Sequence, residues 1–174
     1  MFGDEARFGR ITDPAACWAP PGIRPIVPCQ AIREYTYAYA AVAPGGGTMD
    51  SLILPDMYAS TLQIFLNELS RRHPDRLLLF VIDGAPSHRA GKEKLTIPWN
   101  IRIVDLPPYS PECNPTEDVW DEMREKFFCN CVFRDMDAVE ERLVAALLSM
   151  EGDAERLRSI TCFPWIDEGL KRII

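Results

Sequence analysis

The chain has 174 residues, 47% of them hydrophobic and 26% charged, with a formal net charge of −7. That balance excludes the disordered and fibrous classes and fits one globular domain over residues 1–174, large enough to bury roughly 70% of the surface its unfolded chain exposes. The acidic excess argues against free-standing DNA binding, which depends on Lys and Arg neutralising phosphates; no apolar stretch approaches the ~18 residues of a membrane span and the opening Met1-Phe2-Gly3-Asp4-Glu5 lacks a signal peptide's order, so a cytoplasmic home is expected.

Residues 1–9 predict a strand, although only Met1, Phe2 and Gly3 precede Asp4, a short lead into a central sheet position. Prolines 20, 21 and 25 with Gly22 then break regular structure around Trp18. Alternation returns at Glu34-Tyr35-Thr36-Tyr37-Ala38-Tyr39, with three tyrosines on one strand face. Pro44-Gly45-Gly46-Gly47 turns the chain into a partner strand over residues 48–54, an antiparallel hairpin. Leu62, Phe65, Leu66 and Leu69 fall at i, i+3, i+4 and i+7, the stripe of an amphipathic helix that stops near Arg72-His73-Pro74.

The apolar run 77–82 reads as a buried strand ending at Asp83, and a helical or irregular piece over 89–99 leads to a second strand over 101–106. A helical connection of that kind implies parallel pairing. From Asn114 onward the pattern is helical, with Val119, Trp120, Met123 and Phe127 on one apolar face and Val139, Leu143, Leu147 and Met150 on the next. Asp137 and Glu140 have the spacing of a cap and its third helical residue. Leu157 with Ile160, then Ile166, Leu170 and Ile173, mark two short final helices. The order predicts a mixed α/β sheet. Six cysteines without a Cys-x-x-Cys pair are expected as reduced, largely buried thiols.

Three carboxylates draw attention. Asp83 sits where a strand ends, the edge at which open α/β sheets place ligands. Glu117 follows Pro107-Pro108-Tyr109-Ser110-Pro111-Glu112-Cys113-Asn114-Pro115-Thr116, and Asp4 lies at the start. Three such groups brought together would repel, and a divalent cation relieves the repulsion. Each also has a structural explanation: Asn114, Pro115 and Glu117 match a capping box, Asp83-Gly84 could be a turn, and Asp4 an ordinary terminal acid. Glu5 should point to the opposite strand face from Asp4.

Taken together, Asp4-Glu5, Ile82-Asp83-Gly84-Ala85-Pro86-Ser87-His88 and the 106–117 segment Leu-Pro-Pro-Tyr-Ser-Pro-Glu-Cys-Asn-Pro-Thr-Glu resemble the mariner superfamily of DDE transposases, nearest its bacterial insertion-sequence branch. The 18–25 loop resembles the same branch, and the likeness spans residues 1–128, with a helical C-terminal part over 129–174. The resemblance implies an RNase H-like fold, a mixed five-stranded sheet flanked by helices. It makes Asp4, Asp83 and Glu117 the catalytic acids, each a ligand to a pair of Mg²⁺ or Mn²⁺ ions. The chemistry implied is cleavage and strand transfer of DNA, that is, transposition. His88, Arg89, Lys92 and Asn114 are candidates for contacting DNA or steadying the acids, each weighed against an ordinary surface or capping role.

The partners implied are transposon ends and target DNA, engaged by a homodimer. Full-length members carry a helix-turn-helix region ahead of the catalytic domain; it is absent from this sequence, which begins almost on Asp4. Activity would then need such a region or a second transposase chain. The other reading is a truncated remnant that acts, if at all, as a protein-binding module or inhibitor of intact transposase.

Overall fold

In a computed structural model, which describes residues 1–12, 14–83 and 95–172, five strands form one sheet in the order β3-β2-β1-β4-β5. These are β1 (Phe2–Ile11), β2 (Ala31–Ala43), β3 (Thr48–Leu54), β4 (Leu78–Ile82) and β5 (Ile101–Asp105). β1 to β3 pair antiparallel, whereas β4 joins β1, and β5 joins β4, in parallel. This is the RNase H-like arrangement expected. Among the described residues the α-helices are α1 (Ala59–Arg72), α2 (Thr116–Met123), α3 (Met136–Glu151), α4 (Ala154–Thr161) and α5 (Pro164–Lys171).

Strand alternation divides the apolar residues between two cores. On one face Ala6, Phe8, Ala38, Ala40 and Val42 meet Val119, Trp120 and Met123 of α2 and Val139, Leu143, Leu147 and Met150 of α3. On the other, Tyr39, Ala41, Phe80 and Ile82 meet Leu62, Phe65, Leu66 and Leu69 of α1. β2 is covered on both sides, which explains why its second half reads as a nearly continuous apolar run instead of alternating. The β2–β3 turn is closed by the Gly47 N–H on Pro44 O at 3.1 Å. Gly47 takes φ +59°, and α4 packs so close that a Cβ there would collide with the Ala154 carbonyl.

Several boundaries differ from expectation for local reasons. β1 runs on to Ile11, because after an irregularity between Gly9 and Ile11 it pairs again with Ala31. The short lead before Asp4 is fully used: the Met1 amino group donates to Leu79 O at 2.7 Å and Val81 N–H donates to Met1 O at 2.8 Å. The cap of α3 is Asp135, not Asp137; its extended backbone lets the carboxylate accept from Ala138 N–H at 2.9 Å. The helix expected to reach Phe127 is α-helical only to Met123, then widens into a π-turn over Arg124–Phe128. Phe128 thereby lies 4.8 Å from Phe8 and 5.6 Å from Phe133, ring centre to ring centre. The piece expected to be helical over 89–99 lies partly outside the described residues, and residues 95–98 of it are irregular. Among the described residues, no helix is long and apolar enough to cross a membrane.

Candidate active site

The three candidate acids lie around the junction of β1, β4 and α2. Phe2 pairs with Val81, so β4 ends early along β1, and two further residues on each strand bring Asp4 level with Asp83. Residues level in parallel strands face the same way. Leu78, Phe80 and Ile82 belong to the α1 core, which leaves Val81 and Asp83 on the face that Asp4 shares with Ala6 and Phe8. Asp4 is therefore placed early in its strand and Asp83 just after its own, and the register continued past Ile82 would bring the two level.

Glu117 arrives on the first turn of α2, and that helix is hooked onto β1. Thr116 Oγ1 donates to Phe2 O at 3.0 Å, and Asn114 Nδ2 donates to Gly3 O at 3.4 Å. The next hook is Trp120, whose Nε1 donates to Asp4 Oδ2 at 3.0 Å. The expected capping box is not made: the N-cap is Pro115, not Asn114, with no side-chain cap bond. Asn114 Oδ1 accepts from Thr116 N–H at 3.3 Å, but the Asn114 N–H is already taken by Pro111 O at 2.8 Å. The Glu117 side chain is therefore not needed as a cap, which removes its main structural explanation.

The electrostatics link the three acids in a chain. Asp4 is pushed up to about 7, first by burial and then by the charges of Glu117 and Glu5, against the smaller opposing effect of its hydrogen bonds from the Glu5 backbone and Trp120. Glu117 is raised by burial, with the nearby Arg124 guanidinium pulling it down and Asp121 and Asp83 pushing it up. Around Glu117 a shallow depression is lined by Glu112, Asp118 and Asp121 as well as Asn114. Such a corner is poor for a phosphate by itself and good for a cation.

Among the described residues, no three carboxylate, imidazole or thiol groups are drawn tightly enough together to hold an ion as they stand. The oxygen-only donor set of Asp4, Asp83 and Glu117 is nonetheless the kind that suits Mg²⁺ or Mn²⁺. Of the other sequence candidates, Asn114 is buried at the base of the site, joining α2 to β1. His88, Arg89 and Lys92 lie outside the described residues.

Trp120 is the residue that sequence reasoning missed, since it was read only as part of an apolar face. Its signal was available: a buried indole needs an acceptor for its N–H, and Trp120 stands three residues after Glu117 on the same side of the helix.

Comparison with known proteins bears on the fold and the family. The chain is 33% identical over 132 residues to the uncharacterized protein y4pE/y4sA of Sinorhizobium fredii (strain NBRC 101917 / NGR234), covering 75% of this chain and 96% of that one. Its fold matches the Mos1 mariner paired-end complex with Mn at a TM-score of 0.62 and 18% identity, over 91% of this chain and 52% of that one. The corresponding complex with Mg gives 0.62 and 19%, over 91% and 50%. The chain thus spans about half the length of the Mos1 chains it matches. Residues 1–140 match the model of the DDE superfamily endonucleases, and the chain belongs to that family.

Proposed function

We propose that this chain is a transposase catalytic domain that cuts and rejoins DNA strands, with Asp4, Asp83 and Glu117 holding two divalent ions. The observation that carries the reading is the tie between α2 and β1, which sets Glu117 in electrostatic reach of Asp4 while Asp83 leaves β4 at the same level. When bound, such ions make a water or a DNA 3′-hydroxyl a better nucleophile and stabilise the departing oxygen of an in-line displacement.

The chain's own contribution is positional. Asp4 stands on the rigid central strand, Glu117 on a helix fixed to that strand, and Asp83 at the end of its neighbour. A site on such elements holds its geometry better than one on loops. No covalent intermediate with the protein is required, since water or a DNA end serves as nucleophile. With a net charge of −7, grip on DNA comes in large part from elsewhere: a helix-turn-helix region, a second transposase chain in a homodimer, or both.

The test is nicking of supercoiled plasmid with Mg²⁺ or Mn²⁺. Activity that EDTA abolishes, and that Asp83→Asn and Glu117→Gln each lower by more than about 100-fold, is the expected result, ligand loss costing at least as much as loss of a ligand's support. Undiminished cutting in either variant would remove the acid triad from the mechanism.

A further inference from the structure

Three polar side chains fasten the start of α2 to the start of β1, and they do not all do the same thing. Asn114 and Thr116 reach main-chain carbonyls and so decide where the helix lies. Trp120 alone reaches a carboxylate, Asp4 Oδ2, at 3.0 Å. Its indole has no exposed surface and stands edge-on to Phe8, ring centres 6.1 Å apart at 70°. Indole N–H is a donor with no acceptor capacity, and a packed ring cannot rotate to find another partner. The donor is therefore fixed in space, and the carboxylate must adapt to it.

We propose that Trp120 is a positioning residue for Asp4: by binding Oδ2 from the core side, beside the Glu5 backbone bond to the same carboxylate, it sets the rotamer in which the remaining lone pairs are presented to a divalent cation. This rests on the proposal that Asp4 is a metal-bearing acid. Without the N–H, a short side chain beside Glu117 and Glu5 would turn away from their charges and would have to be reoriented each time a cation bound. Partners that orient metal ligands in this way contribute about 10- to 100-fold to metal affinity.

The experiment is Mn²⁺ binding to the full chain without DNA, followed by calorimetry and by the magnetic-resonance signal of free Mn²⁺. Four variants accompany the parent: Trp120→Phe, Trp120→3-benzothienylalanine, Asp83→Asn and Val139→Ala. The benzothienyl ring keeps the indole outline with sulfur in place of N–H, so it decides the matter if the Phe variant does not fold. Val139→Ala disturbs the same buried core while leaving the N–H in place.

The expected result is saturable binding by the parent and loss with Asp83→Asn. The two variants lacking the donor should bind about 10- to 100-fold more weakly, and Val139→Ala within about twofold of the parent. Parent-like affinity in the folded donor-less variants overturns the role of Trp120 and leaves the metal site standing. Equal weakening by Val139→Ala also overturns it, because packing alone would then account for the loss. Absence of saturable Mn²⁺ binding by the parent, or indifference to Asp83→Asn, sinks the metal site itself and the role of Trp120 with it.

Discussion

Asp4 carries an unusual burden for a carboxylate in a sheet. Folding takes it out of water beside Glu117 and Glu5, so the folded chain holds its proton up to about 7, against an ordinary value of 3.8. The folded state then binds a proton more tightly than the unfolded chain, and stability falls as pH rises between those two values. For metal-free protein in EDTA, the loss traceable to Asp4 is at most on the order of 4 kcal/mol. Asp4→Asn, which keeps an acceptor for Trp120, should be more stable than the parent at pH 8 in urea denaturation. The difference should shrink towards pH 4, and equal pH dependence of the two proteins would contradict the account. Glu117 is the contrasting case. Its sequence neighbourhood reads equally well as a helix cap, and the structure withdraws that role: the N-cap is Pro115 with no side-chain bond, and the Asn114 N–H is bonded to Pro111 O. Sequence could pick out the acids by their motifs, but it could not show Trp120 bonded to Asp4, because that contact joins residues far apart in the chain.

At the scale of elements, the fit of β1 between β4 and α2 decides the geometry. Gly3 faces the ring of Phe80, and a Cβ there would collide with it, so Gly3→Ala should cost about 1–3 kcal/mol by overpacking, read from the denaturation midpoint. A neutral effect would mean that Phe80, only 1% exposed, can move more freely than its packing suggests. Asn114→Ala removes both the bond to Thr116 N–H and the bond to Gly3 O. It should cost about 1–2 kcal/mol and weaken metal-dependent cutting as well, since it loosens the helix that carries Glu117. An unchanged midpoint would show that Thr116 and the apolar face hold α2 unaided. Helices and strands were legible from apolar spacing, because burial on one face imposes a period. Their ends were less so. Asp135 and Asp137 are chemically identical caps, and only the extended backbone of Asp135 chooses between them. The π-turn at Arg124–Phe128 answers to Phe8 and Phe133, which belong to distant parts of the chain.

For the whole molecule, sheet order was predictable as a class from the motif resemblance, whereas the early end of β4 along β1 is a matter of tertiary register. That register, continued past Ile82, would bring Asp83 level with Asp4 near the start of β1. The net charge of −7 has a measurable consequence. DNA binding by this chain alone should be weak, indifferent to sequence, strengthened by Mg²⁺ and lost between about 50 and 200 mM salt, as fluorescence anisotropy would record. Tight binding to one particular sequence would instead reveal a reading surface within these residues. The central claim is that three carboxylates from β1, β4 and α2 share divalent ions. Its most direct test is a crystal of the full chain soaked in Mn²⁺ and measured for anomalous scattering. The account predicts a peak bounded by the carboxylates of Asp4, Asp83 and Glu117; ions bound only by Glu112, Asp118 or Asp121, with none touching Asp4, would contradict it.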